Sequence, residues 1–216
     1  MKKLLVLSVA AIAAFILVVN SGSSANKVFN SGNRNQSDSF YCKAGEFPKQ
    51  DVSQSEEKEL LYMREEEKMA HDVYSMMFDK WGLRPFSNIM GAEERHMAAI
   101  KSMIDKYALT DPVKDIKTGI FTNADIRKLY NGLLEQGNKS ELDALKAGAE
   151  IEEVDIKDLL QGIKDTDNND IKFVYNNLLN ASGNHLRAFM RNIERRGSTY
   201  VPKHLDKKTF EEILND

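Results

Sequence analysis

Four stretches of this chain carry apolar residues at alternating three- and four-residue steps, and each stripe is interrupted near its middle by a carboxylate or an imidazole. The clearest runs Ile89, Glu93, His96, Ile100, Met103, Tyr107. Steps of three and four stack on one face of an α-helix. Most of these positions are apolar or aromatic, so this is the buried face, and Glu93 and His96 enter the core one turn apart. An unpartnered buried carboxylate costs several kcal/mol or neutralises itself. Polar groups so placed need a partner, and a cation is the natural one.

The remaining stripes set the architecture. Ser53-Gln54-Ser55-Glu56 has the spacing of a capping box. The first long helix follows it, with Leu60, Met63, Glu67, Ala70, Tyr74 and Met77 inward, and ends at Gly82 before Pro85. The second begins around Phe86–Ser87 and runs to about Tyr107. So short a join makes the two antiparallel neighbours. Residues 111–139 form a long connection with one smaller helix, capped by Asn123 and stopped at Gly137. The third long helix starts near Ser140, with Leu145, Ala149, Glu152, Ile156 and Leu159 on its stripe. A turn at 165–169 leads to the fourth, with Val174, Leu178, Ser182, His185 and Phe189 inward and Gly197 at its end. Strand-like alternation is hard to find, and the reading is all-α. Two antiparallel hairpins joined by a long crossover between helices 2 and 3 are the connectivity of a ferritin-like four-helix bundle.

The flanks differ in kind. Lys2 and Lys3, an apolar run from Leu4 to Val19, and small residues to Ala25 describe a secretory signal peptide over 1–25. An uncleaved membrane anchor is the alternative, because the run is near the lower limit for spanning. Residues 26–52, rich in Asn, Ser, Gly and Lys, read as a disordered linker, so order is expected from Ser53. The bundle then covers 53–197, and 198–216 is a tail with a last helix from Lys207. Cys42 is the sole cysteine and forms no internal disulfide. A net charge of -3 and the lack of a basic stripe argue against nucleic acid.

In an antiparallel bundle, mid-helix residues share one level. Glu67, Glu93, His96, Glu152 and His185 can therefore converge, with Asp155 one turn after Glu152 as a further acid. Helical phase leaves Glu150 and Glu153 as alternatives to Glu152. Carboxylates and imidazoles at this density suit one or two Fe or Mn ions, with Zn as competitor. Each residue also has a plainer reading. Glu67 is one acid of an acidic run with Glu65 and Glu66 whose carboxylates reach water, and His185 a hydrogen-bonded core residue. His71 reads as an edge group, Tyr74 and Tyr107 as core aromatics with hydroxyl partners, and His204 has no assigned role. The coincidence of four helices at one level favours the metal reading.

The segments Met63-Arg64-Glu65-Glu66-Glu67-Lys68-Met69-Ala70-His71-Asp72-Val73-Tyr74, Glu93-Glu94-Arg95-His96-Met97, Ile151-Glu152-Glu153-Val154-Asp155-Ile156 and Ser182-Gly183-Asn184-His185-Leu186-Arg187-Ala188-Phe189 resemble a ferritin-like family of bacterial and archaeal proteins, classed as a domain of unknown function. The resemblance spans about residues 55–205. It implies the four-helix ferritin-like fold, a metal centre, and homo-oligomer formation of the kind such folds adopt, but no substrate. One departure stands out: Ser182 occupies the position three before His185, where a Glu-x-x-His pair would have its acid. Either Asp155 compensates, as in rubrerythrin-like proteins, or one metal position is weak.

The expectation is an exported metal-binding bundle, without stable membrane insertion once the signal is removed, carrying out O₂ or peroxide reduction or ferrous-iron oxidation. The contrasting readings are a non-catalytic envelope module that stores or senses metal or holds one structural Zn, and a bundle with no metal whose polar residues pair among themselves. Export is directly testable. The mature chain is expected to begin near Asn26 and to fractionate outside the cytoplasmic membrane. Mass spectrometry that finds Met1 or Lys2 retained on a cytosolic protein would exclude this.

Overall fold

The computed structural model describes Ala44 and residues 46–215; the expected signal peptide, Cys42 and most of the expected linker lie outside the described residues. Six α-helices and no strands occur among them: α1 Gln54–Trp81, α2 Arg84–Tyr107, α3 Ala124–Gly137, α4 Glu141–Asp165, α5 Asn169–Glu194 and α6 Lys207–Asn215. None is long and apolar enough to cross a membrane.

Helix starts follow local chemistry. Ser53 caps α1, and Glu56 returns the bond to the Ser53 amide at 2.8 Å, completing the capping box. Asn123 and Ser140 cap α3 and α4 through their side-chain oxygens. Gly82 closes α1 in the left-handed region at φ 64°, where a Cβ would be strained. The second helix begins at Arg84, earlier than expected, with Pro85 inside its first turn. Proline is tolerated there because that amide has no partner within the helix.

The helices pack as two hairpins, α1 on α2 and α4 on α5, which meet through α1–α4 and α2–α5 contacts. Tyr74 of α1 donates to the Gly148 carbonyl and the Glu152 carboxylate, while Glu56, a few turns earlier, accepts from Thr166 beyond the end of α4. Those cross-links run in opposite senses, so α1 and α4 are antiparallel. Two apolar clusters fill the interior. One contains Tyr74, Phe86 and Phe189, with ring centroids 5.5–6.0 Å apart; the other contains Leu60, Met63, Ile100, Ile104, Leu159 and Val174. Between them along the helix axes lie the carboxylates and imidazoles anticipated above.

One flanking segment corrects the sequence reading, and the other gains contacts that the sequence did not show. The end of the expected linker is ordered against the helices: Lys106 donates to the Phe47 carbonyl, Asn168 to the Asp51 carbonyl, and the Asn169 amide to the Gln50 side chain. No periodicity reveals this because backbone carbonyls make most of the contacts. The tail is likewise docked. Glu153, fully buried, accepts from the amides of Lys203, His204 and Leu205 and from the Tyr200 hydroxyl.

Glu56 ties the start of α1 to the α4–α5 turn, accepting from Thr166 at 2.6 Å and Asn168 at 3.0 Å. Burial alone would raise its carboxyl, but the hydrogen bonds from Thr166, Ser53 and Asn168 outweigh that and bring it down to about 2. A depressed carboxyl contributes stability that is complete above its ordinary value near 4.5 and is lost as pH falls towards 2. Glu56→Gln should therefore be less stable than the native chain by about 1–2 kcal/mol at neutral pH. In urea titrations that gap should narrow between pH 4.5 and 2.

Candidate metal centre

Helical spacing brings the five expected ligands to one place. Glu67 comes from α1, Glu93 and His96 from α2, Glu152 from α4 and His185 from α5. His96 Nδ1 lies 2.9 Å from Glu93 Oε2 and 3.3 Å from Glu67 Oε2. On the other side, His185 Nδ1 lies 3.2 Å from Glu93 Oε1 and 3.4 Å from Glu152 Oε2. The imidazoles stack at 5.6 Å between centroids. Glu93 thus presents one oxygen to each imidazole and belongs to both ligand triplets, Glu67–Glu93–His96 and Glu93–Glu152–His185.

Neither Nδ1 forms a hydrogen bond with these neighbouring oxygens, despite the short separations. A donor pointing along its N–H towards an acceptor at 2.9 Å would make a strong bond. Each nitrogen instead lies close to carboxylate oxygens from two helices without a hydrogen bond to either. Glu67 Oε1 and Asp155 Oδ1 are also buried without a partner. Orphaned polar atoms grouped this densely are costly in a bare core, and a cation would satisfy them. The donor set of carboxylates and imidazoles fits Fe, Mn or Zn.

Electrostatics agree with the geometry. Burial raises the Glu93 carboxyl, but His96 and His185 outweigh it and hold the group well below the carboxylate range. Burial lowers the imidazoles, yet Glu93 and Glu67 raise His96 well above its ordinary value, and Glu152 with Glu93 raises His185 to about 10. Glu67, pressed by burial and by Asp155, is raised. Asp155 itself is pushed to about 7 by burial and the Glu152 charge.

Asp155 is buried beside this group. Ser182, where a carboxylate would complete Glu-x-x-His, turns its hydroxyl to the Leu178 carbonyl at 2.9 Å. Tyr74 donates to Glu152 Oε1 at 2.5 Å, fixing that carboxylate from behind. Glu150 and Glu153 face elsewhere: Glu150 meets Lys203 and His204, and Glu153 clasps the tail. His71 sits at the edge, 3.3 Å from Asp72 and 3.6 Å from Glu94. Tyr107 donates to both Asp170 oxygens at 2.9 Å.

The acidic run on α1 is where the sequence reading falls short. Arg64, Glu65, Glu66 and Lys68 are all buried, together with Glu67. The connection between α2 and α3 covers the outer side of α1 and uses these charges as anchors. Arg64 pairs with Asp111 at 3.3 Å, and Glu65 accepts from the amides of Thr122 and Asn123. Lys68 bridges Asp72 and the Lys117 carbonyl at 2.6 and 2.8 Å, and Asp72 takes the Gly119 amide. Glu66 faces inward, with both oxygens unpartnered. A polar stretch of this kind is indistinguishable in sequence from a solvated face. The one signal was the length of the connection, 29 residues holding only one short helix, which must lie on something.

Proton competition gives a sign for metal uptake. Raised imidazoles stabilise the metal-free fold most at low pH, and that contribution is lost as pH rises towards about 10. A ligating imidazole must shed this proton. Zn²⁺ affinity should therefore rise from pH 6 to pH 8, by about tenfold or more, and calorimetry in buffers of different ionisation enthalpy should show net proton release.

The comparisons place the chain among known sequences. The profile of the uncharacterized protein domain DUF2202 matches residues 56–216. An uncharacterized protein of Methanocaldococcus jannaschii, MJ0754, is 49% identical over 168 residues, spanning 78% of this chain and 91% of its own. The crystal structure titled as hypothetical protein MJ0754 from Methanococcus jannaschii superposes with a TM-score of 0.77, covering 79% of this chain and 97% of that one. By both sequence and fold, this chain belongs to the DUF2202 family.

Proposed function

We propose that the protein is an exported ferritin-like four-helix bundle, with α3 in its crossover, that holds one or two transition-metal ions, Fe or Mn with Zn as competitor, in the group around Glu93. The observation that carries this reading is the sharing of Glu93: one carboxylate serves two ligand triplets, each completed by an imidazole Nδ1 without a hydrogen bond. Paired hairpins joined by a long connection, with inward acids and histidines from all four long helices, are what a ferritin-like centre requires. The basic and apolar leader at Lys2–Ala25 supports export.

Glu67 and His96 would hold one position, Glu152 and His185 the other, with Glu93 between them. Fe or Mn held there would supply redox chemistry towards O₂ or peroxide, or towards ferrous iron as substrate, whereas Zn would not. The chain's own residues set the conditions. Tyr74 keeps Glu152 in one orientation and can hold or return a proton at its hydroxyl. Asp155, near its midpoint at about 7, is suited to take or give a proton beside the second position. The aromatic cluster on one side and the aliphatic cluster on the other exclude water along the helix axis.

Ser182 is the position where this site falls short of a symmetric one. Protein prepared without chelators should carry one to two ions per chain by elemental analysis. Ser182→Glu should tighten the weaker ion by adding a carboxylate one turn before His185. His96→Ala should lose metal, and its metal-free form should lose about 1–3 kcal/mol, since Glu93 and Glu67 are left less compensated. Equal metal content in all three proteins would mean that ions bind elsewhere and that the polar cluster is structural.

A further inference from the structure

The α1–α4 seam carries acids outward from the centre to the surface. Glu59 and Glu66 are seven residues apart on α1 and share a face, about 10 Å apart along the axis. On α4, Asp155 and Asp158 share the facing side one turn apart. Glu66 is 1% exposed, and neither of its oxygens has a hydrogen-bond partner. The charges acting on it are Asp155, then Asp158, Glu67 and Glu59, so it stands between the buried centre and the outer acids.

Beyond Glu66 lies a surface cavity of about 230 Å³ between α1, α4 and α5, lined in part by Glu59, Gly162, Asp165 and Tyr175. Gly162 makes room there: a Cβ would strike the Tyr175 ring at 2.7 Å and come within 3.6 Å of Glu59 Oε1. The Tyr175 hydroxyl is buried and has no partner, and the charges that act on it are those of Glu59, Glu56 and Glu66. Lys58 also lines the cavity, and Lys157 pairs with Asp158 at 3.0 Å, so the mouth is mixed in charge while the interior is acidic. Nothing in the packing of the fold needs two orphaned carboxylate oxygens on Glu66.

We propose that this seam is the entry route for divalent cations, running from the cavity at Glu59 past the Tyr175 hydroxyl to Glu66 and Asp155, with Glu66 as the last stop before the Glu93 group. The inference rests on the metal reading of that group. Glu66 is a positioning residue for ions in transit and no part of either triplet. A cleft lined by one sign of charge concentrates counter-ions and accelerates their arrival.

Co²⁺ alone, mixed with metal-free full-length protein, reports loading through its visible absorption, and equilibrium dialysis gives the final count. Glu66→Gln should reach the native count but load about tenfold more slowly. Tyr175→Phe and Asp158→Asn, the latter at a partly exposed position, should each slow loading several-fold. His96→Ala should instead lower the final count. If native protein loads and Glu66→Gln keeps pace with it, or loses an ion without slowing, the entry route is wrong while the centre stands. If native protein takes up no Co²⁺, the metal reading falls and the route with it.

Discussion

Glu93 is the group on which the interior depends. Its two oxygens face imidazoles from different hairpins, His96 on its own helix and His185 on α5. A lone carboxylate at 3% exposure would be prohibitive. Two imidazoles held well above their ordinary pKa make it tolerable by opposing its charge. The hairpins are therefore joined by apolar contact above and below this level, and by shared charge at it.

The rest of the buried charge follows the same logic with different partners. On α1, Arg64, Glu65 and Lys68 each reach outward to the connection that crosses between hairpins, and they are satisfied by its backbone or by Asp111. Asp170 on α5 is met by Tyr107 and by Lys106 at 2.6 Å. Glu153 is met by three amides of the tail. Among the ionisable carboxylates and imidazoles of the described residues, the buried atoms without partners belong to the inward set, Glu66, Glu67, Asp155, His96 and His185, while Asn168 and the Tyr175 hydroxyl each keep one as well. Structural charges in this chain are paired by protein. The unpaired ones cluster where a cation is expected.

Much of this was legible in the sequence, because a buried helix face repeats at a fixed period. Glu67, Glu93, His96, Glu152 and His185 fell on stripes dominated by Leu, Ile, Met and Phe, and helix caps at Ser53, Asn123 and Ser140 had local signatures. Glu66 was not legible. It lies beside Glu65 and Glu67 in an acidic run, and which of three adjacent acids points inward depends on what covers the other side. That cover comes from residues near 111–123, whose contacts are single hydrogen bonds with no periodic trace. The docking of the segment from Phe47 to Asp51 escaped for the same reason: most of its bonds are made by backbone carbonyls, which every residue has.

The central position of α1 bears on how the chain assembles. It packs against α2, α3 and α4, and its side chains reach partners as far as 112 residues away, among them Asp111, Thr166 and Asn168. Loop closure over such separations must precede the contacts that reward it, and topologies of this kind fold more slowly than bundles with neighbour-only packing. The first hairpin emerges from synthesis with Glu65, Lys68 and Glu93 lacking their later partners. Until α4 and α5 arrive, its apolar inner face is interrupted by Glu67, Glu93 and His96. Charged groups set into an exposed apolar stripe disfavour its pairing with a second copy, so the groups that burden the finished core also reduce self-association of the unfinished chain.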